Sequence, residues 1–113
     1  MGFSPEYRAQ VEEKLSLVVP IQTKAMFGGV GIYSEGLFFA LLAEDKLYLK
    51  VSDVNRADFE AAGMKPFYPY DSPKPMHYWE LPPKLLDEPD ELKPWVDKAL
   101  AVAEQARLKK GKK

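Results

Sequence analysis

The fold is decided by residues 22–51, which read QTKAMFGGVGIYSEGLFFALLAEDKLYLKV. Short turns divide this stretch into three predicted strands, residues 22–33, 37–42 and 47–51. Residues 37–42 are apolar throughout and too few for a helix between turns, so we expect a central, buried strand. Apolar and polar side chains alternate over residues 46–51, which is typical of a strand with one solvated face. Connections this short require antiparallel pairing, and Gly36 in the second turn is expected to have a positive φ.

Helices are predicted on both sides of these strands. Residues 5–18 carry one apolar stripe at helical spacing, and Pro20 ends that helix. A second helix is expected to be capped by Ser52 or Asp53 and to end at Gly63 in the left-handed conformation. A third helix has a broad apolar face from Leu92 to Ala106. Pro94 is expected either to lie in the first turn of this helix or to break it after a preliminary turn at residues 90–93.

Residues 65–83 contain six of the ten prolines. Proline excludes a helix here and restricts strands to short segments, which we place near 65–68 and at 76–81. The predicted order is therefore α-β-β-β-α-β-β-α, an α+β fold of two layers with an antiparallel sheet and the helices on one side. We assign residues 1–106 to a single domain and residues 107–113 to a basic flexible tail.

Composition excludes several kinds of site. The 113 residues include no cysteine and one histidine, so disulfides, iron–sulfur clusters and multi-histidine zinc sites are ruled out. The longest apolar run, residues 37–43, is far shorter than the ~20 residues of a membrane span, and the N-terminus does not resemble a signal peptide. We therefore expect a cytoplasmic protein without membrane attachment.

Neither a catalytic set nor a cofactor motif is recognisable. His77 would have to be the base of any Ser-His-Asp site, yet no Gly-x-Ser-x-Gly turn is present. Acidic residues at 87–91 are explained by the start of the last helix, which disfavours a metal site. The glycines at 28–31 precede a strand and lack the Lys-Ser/Thr of a phosphate loop, so they indicate a bulge or a close backbone approach. The sequence predicts no enzyme, no cofactor and no metal.

Basic residues leave a nucleic-acid interface open as an alternative. Net charge is −1, but five of the 16 basic residues lie in the predicted tail. Lys46 and Lys50 share a strand face and would flank an exposed Tyr48, an arrangement suited either to nucleic acid or to the protection of a sheet from aggregation. The alternative site consists of Lys46, Lys50, Arg107, Lys109, Lys110, Lys112 and Lys113. A third alternative is a small-ligand pocket walled by residues 65–83, with Tyr70, His77 and Trp79.

Several blocks in register resemble the N-terminal domain of the TfoX/Sxy family of bacterial competence regulators. The blocks are KAMFGGVGIY at 24–33, GLFFA at 36–40, LYLKV at 47–51, Asn55-Arg56-Ala57 with Phe59 and Gly63, Pro66-Phe67, and Met76 with Tyr78-Trp79-Glu80-Leu81-Pro82. The resemblance covers residues 5–105 and implies a small α+β domain. Full-length family members carry a second, mostly helical domain after this one. The blocks in this sequence resemble only the first domain, so we expect a standalone, single-domain form.

The resemblance implies a non-enzymatic regulatory or adaptor domain that acts through protein–protein contacts in transcription regulation. The expected partner is a transcription factor or the transcription machinery. Pairing of an edge strand with a second copy would give a homodimer, an alternative that the prolines near 73–75 would oppose. No catalytic residue carries over from the family. The binding candidates are the motif residues Lys24, Gly28, Gly29, Lys50, Arg56, Tyr78 and Glu80.

Overall fold

The structure is a computed structural model, and it describes residues 5–26, 29–43, 46–67 and 77–111. Its helices are α1 (Pro5–Ser16), α2 (Arg56–Ala61) and α3 (Pro89–Gly111), with a 3-10 helix at Pro83–Asp87. Its strands are β1 (Gln22–Met26), β2 (Gly29–Ser34), β3 (Leu37–Ala43), β4 (Lys46–Lys50) and β5 (Tyr78–Glu80). All five form one antiparallel sheet in the order β1-β2-β3-β4-β5. The predicted α+β class with an antiparallel sheet is confirmed.

The prediction of a single first strand over residues 22–33 is wrong, because the structure has two strands in this range, β1 and β2. β1 and β2 pair with each other, with Gln22 opposite Tyr33 and Met26 opposite Gly29. Residues 27 and 28, between the two strands, lie outside the described residues. Gly29 also meets the expectation of a close backbone approach, since a Cβ at this position would overlap the carbonyl oxygen of Leu42 on β3.

The turn between β2 and β3 is a two-residue hairpin. Glu35 and Gly36 both have positive φ, 51° and 83°, as a turn that matches the twist of its strands requires. The expectation for Gly36 is confirmed. One further residue, Phe39, is inserted on β3 where the register shifts opposite Ile32 and Tyr33, and this bulge places its side chain in the main core, fully buried.

The main core lies between the helices and one face of the sheet. Phe59 of α2 is its centre, with its ring 4.8 Å from Trp95 on α3 and 6.4 Å from Trp79 on β5. The buried members come from all three helices, the 3-10 helix, the strands and the connections between them: Val11, Leu15, Val19, Val30, Ile32, Phe39, Ala40, Leu42, Leu47, Leu49, Val51, Phe59, Leu81, Leu85, Leu86, Leu92, Val96, Ala99 and Ala103. The prediction that the helices pack on one side of the sheet is therefore met by the described helices.

The N-terminal cap of α2 differs from the prediction. Ser52 and Asp53 lie before the helix, and Asn55 occupies the cap position without a capping side-chain hydrogen bond. Its side-chain amide instead forms hydrogen bonds with residues that precede it, donating to the Lys50 carbonyl and accepting from the Ser52 N–H. The C-terminal end is as expected, because Gly63 has φ +77°.

The other element boundaries shift by a few residues. α1 ends at Ser16 rather than at 18. Of the predicted strand at 76–81, the described residues 77–81 contain the strand Tyr78–Glu80, and Met76 lies outside the described residues. The predicted strand near 65–68 is a single bridge between Pro66 and Trp79. α3 is continuous from Pro89 and contains Pro94 in its second turn, so neither expectation for this proline holds. Because α3 reaches Gly111, its backbone includes residues 107–111 of the predicted tail.

Candidate binding surfaces

The strand register collects most of the motif residues on the face of the sheet opposite the helices. Lys24 is paired with Gly31, Lys50 with Tyr78, and Tyr48 with Glu80. Directly paired residues of an antiparallel sheet project from the same face, and residues two apart on a strand share that face. Lys24, Gly29, Lys50, Tyr78 and Glu80 therefore belong to one helix-free face. The candidate Gly28 lies outside the described residues.

A small aromatic cluster covers the middle of the helix-free face. Leu41, Tyr48 and Tyr78 are buried, with Phe38 and Phe67 packed against them. The Tyr48 ring lies 4.8 Å from that of Phe67, and it is only 6% exposed. The prediction of an exposed Tyr48 between Lys46 and Lys50 is therefore wrong, because Phe67, which is 19 positions further along the chain, packs against its ring.

Lys50 and Tyr78 form a pair at the end of β4. The Lys50 Nζ lies 4.9 Å from the centre of the Tyr78 ring and donates a long hydrogen bond of 3.4 Å to its hydroxyl. Burial, with a smaller contribution from Tyr33, raises the pKa of Tyr78 to about 12. The phenol is therefore neutral near pH 7 and accepts the hydrogen bond as an uncharged group.

The two edges of the sheet differ. At the β5 edge, the Phe67 N–H donates to the Tyr78 carbonyl at 2.8 Å, and the Glu80 N–H donates to the Lys65 carbonyl at 3.1 Å. At the β1 edge, no described segment pairs with the outer side of the strand. Lys24 lies at the middle of β1, is exposed, and takes part in no ion pair among the described residues. The described sheet thus has one open edge, and Lys24 marks its centre.

A cleft of about 670 Å³ lies beside the same end of β4, between α3 and the chain that leads into α2. Two of the motif candidates meet here, Lys50 at the end of the strand and Arg56 at the start of α2. The described lining residues are Lys50, Val51, Ser52, Asp53, Val54, Arg56, His77, Ala101, Val102, Gln105 and Ala106. Sequence reasoning missed this cleft because residues 51–54 and 101–106 become neighbours only in the tertiary structure.

Asn55 fixes the segment that forms one wall of the cleft. The residue is 1% exposed; its Nδ2 donates to the Lys50 carbonyl at 3.1 Å, and its Oδ1 accepts from the Ser52 N–H at 2.9 Å. The Ser52 hydroxyl in turn accepts from the Val54 N–H at 3.2 Å. This bonding holds Val54 in place although 67% of its surface is exposed. The only sequence signal of this arrangement is an asparagine between a strand and a short helix. Asn55 also belongs to one of the blocks that resemble the family, and this membership does not indicate its hydrogen bonds.

The remaining candidates are dispersed. Arg56 forms ion pairs with Asp53 and, at 3.9 Å, with Glu60. Arg107 bonds the carboxylate of Glu104 at 2.9 Å. Lys46 and Lys50 begin and end β4 and are therefore about 13 Å apart along the strand.

The basic set of the nucleic-acid alternative is thus not gathered into one patch by the described residues. The structure gives only the backbone of Lys109 and Lys110, while Lys112 and Lys113 lie outside the described residues. Tyr70, of the predicted ligand pocket, also lies outside them. His77 is exposed and lines the cleft, whereas Trp79 packs on the helix side against Phe59.

The described residues also bear on metal sites and on membrane-spanning helices. Among residues 5–26, 29–43, 46–67 and 77–111, no group of three or more His, Cys, Asp or Glu side chains is arranged to hold a metal ion. None of the helices in these ranges has the length and apolar character needed to cross a membrane. The absence of enzymatic activity, the lack of a cofactor and the cytoplasmic location stay predictions.

Comparison with known proteins gives a family. The model of the TfoX N-terminal domain matches residues 13–103, which include the last turn of α1, the whole sheet, α2 and most of α3. No curated protein matches the chain at the significance required. The matched range covers more than two thirds of the 113 residues and agrees with the resemblance of the sequence blocks. The chain therefore belongs to the TfoX N-terminal domain family, a family of competence-related regulatory domains.

Proposed function

We propose that the chain is a non-enzymatic adaptor domain in the cytoplasm that regulates transcription by binding a protein partner, a transcription factor or a component of the transcription machinery. Membership of the TfoX N-terminal domain family supports a regulatory role. The observation that carries the proposal is the open β1 edge with the exposed Lys24 at its centre.

An extended segment of the partner adds to the sheet at β1. An edge strand presents unpaired backbone N–H and C=O groups, and a bound strand satisfies them. Gln22, Lys24 and Ala25 are exposed, so β1 can be approached from solvent. Lys24 adds charge specificity, because an acidic side chain directly opposite it in the bound strand would gain roughly 0.2–1 kcal/mol.

A second copy of the chain is a poor occupant of this edge. β1 runs from Gln22 to Met26, so full-length antiparallel pairing with a symmetry-related β1 would place Lys24 directly opposite Lys24 of the second copy. Like charges in that position are destabilising. The edge lysine therefore opposes self-association while it favours an acidic partner, and the homodimer alternative receives no support from the register.

Quantitative pull-down with the full chain as bait tests the proposal. Three variants are compared with the wild type: Lys24→Glu, which reverses the charge; Ala25→Pro, which removes a backbone donor at the edge; and Lys84→Glu. Lys84 is an exposed lysine of the 3-10 helix with no ion pair among the described residues, so its variant is a matched charge control. Circular dichroism confirms that each variant is folded before use.

We expect a transcription protein to be enriched by the wild type and by Lys84→Glu, and to be reduced at least about fivefold with Lys24→Glu, a loss of about 1 kcal/mol. Enrichment that is equal for all four baits would refute the β1 edge as the interface. The lack of any transcription protein among the enriched proteins would refute the adaptor function itself.

A further inference from the structure

The cleft beside α3 is a separate feature from the β1 edge. Its volume of about 670 Å³ lies within the ~300–1,000 Å³ that is typical of small-molecule sites. It is lined from three elements, the end of β4, the segment that leads into α2, and the second half of α3. A regulatory domain that docks a protein at β1 has no need of such a site.

Much of the described lining is aliphatic. Val51, Val54, Val102, Ala101 and Ala106 contribute methyl groups, and no described lining residue is Phe, Tyr or Trp. An aromatic ligand would thus find no ring to stack on among these residues, whereas a short alkyl chain would replace water along this lining. Because hydrogen bonds of Asn55 and Ser52 hold the Val54 segment, the wall exists before a ligand arrives.

The ionisable residues of the described lining are mostly basic. Lys50, Arg56 and His77 belong to it, and Asp53 is its only acidic residue. With neutral histidine the lining carries a net charge of +1, although the chain as a whole carries −1. Asp53 is paired with Arg56, which also pairs with Glu60 at 3.9 Å, so neither Asp53 nor Arg56 faces a ligand as an isolated charge. A single negative charge matches this lining better than the two charges of a phosphate monoester.

We propose that this cleft binds a small aliphatic monocarboxylate, with its alkyl chain against the valines and alanines and its carboxylate beside Lys50, Arg56 and His77. The ligand makes the domain responsive to a small acid while β1 remains available for a protein partner. This inference goes beyond the adaptor function and does not depend on it.

Titration of the ¹⁵N-labelled full chain by NMR tests the inference with three probes. Hexanoate carries both the chain and the charge, hexan-1-ol carries only the chain, and inorganic phosphate carries only negative charge. We expect saturable shifts of the amides of residues 51–56 and 101–106 with hexanoate, at a Kd of roughly 1 mM for a ligand of eight heavy atoms. Hexan-1-ol and phosphate should each bind at least about tenfold more weakly, the factor that corresponds to 1.4 kcal/mol.

Two alanine-to-glutamate variants provide the matched comparison. Ala101 is exposed on α3 and lines the cleft, so Ala101→Glu places a carboxylate beside the ligand and should weaken hexanoate binding at least about tenfold. Ala61 is exposed on α2 and does not line the cleft, so Ala61→Glu should bind hexanoate as the wild type does. Lys24→Glu, at the β1 edge, should also leave the affinity unchanged.

Absence of saturable shifts with hexanoate in the folded wild type would overturn the proposal. So would equal affinity for hexan-1-ol, which would remove the carboxylate from recognition, or equal affinity for phosphate, which would remove the alkyl chain. Loss of binding with Lys24→Glu but not with Ala101→Glu would also overturn it, since the ligand would then occupy the β1 edge.

Discussion

Asn55→Ala is expected to lower the free energy of unfolding by about 2–4 kcal/mol, a large loss for a side chain that makes no contribution to the apolar core. The substitution leaves two backbone groups without partners, the Lys50 carbonyl that accepts at 3.1 Å and the Ser52 N–H that donates at 2.9 Å. Asn55 is 1% exposed, so water does not replace its amide without rearrangement of the segment. Each orphaned buried group costs about 1–3 kcal/mol, and partial hydration of the relaxed segment brings the sum to the stated range.

Urea unfolding, followed by the fluorescence of Trp79 and Trp95, measures this loss. The m value, which is the slope of the unfolding free energy against urea concentration, is expected to stay unchanged. Gln105→Ala is the control, because it removes the same kind of amide from an exposed position on α3 and should change stability by no more than about 0.5 kcal/mol. A loss for Asn55→Ala no greater than that of the control would show that the two bonds do not hold the segment. The account of the preformed cleft wall would then fail with it.

Three further outcomes follow from the packing. Gly29→Ala should cost about 1–3 kcal/mol in the same urea assay, because its Cβ would overlap the Leu42 carbonyl and force β2 and β3 apart; unchanged stability would contradict that close approach. Phe59→Ala should cost about 3–5 kcal/mol and alter the emission of Trp95, whose ring meets that of Phe59 edge-on at 4.8 Å; an unaltered spectrum would contradict the contact. Spectrophotometric titration should find one tyrosine with a pKa of about 12, absent from Tyr78→Phe. Since folding raises the pKa of Tyr78 from 10.0, the stabilising contribution of its neutral phenol should be complete below pH 10 and decrease as the pH approaches 12. The free energy of unfolding of the wild type should therefore fall more over this range than that of Tyr78→Phe. Equal losses would refute the assignment.

Local patterns were sufficient for the element types. Alternation predicted β4, the apolar run predicted β3 as a central strand, and the glycines at 36 and 63 marked their turn and helix end, because each signal depends on neighbours within a few residues. The division of residues 22–33 into β1 and β2 was missed for the opposite reason. An uninterrupted β-like pattern over 22–33 does not distinguish one long strand from a hairpin, and the partner of β1 is visible only in the register.

Burial of the helix-free face was the main point on which sequence reasoning failed. The alternation of Lys46, Tyr48 and Lys50 correctly placed the three on one face, but it gave no information on what covers that face. Phe67 does so, and the burial of Tyr48 removes the exposed aromatic on which the nucleic-acid alternative depended. Contacts between residues distant in the sequence cannot be derived from periodicity, since periodicity reports only which side chains point the same way.

The amino-acid sequence by itself determined the family, the α+β class and the membership of each strand face, because motif blocks and side-chain alternation are local properties of the chain. Only the tertiary structure decided that Lys24, on the helix-free face, lies at an open edge of the sheet, and that Lys50, on the same face, also meets Arg56 at the cleft. The physical reason is that an edge and a cleft are defined by what packs beside them. Which strand remains without a neighbour, and which loop meets the last helix, follow from the free energy of the whole core rather than from any one segment.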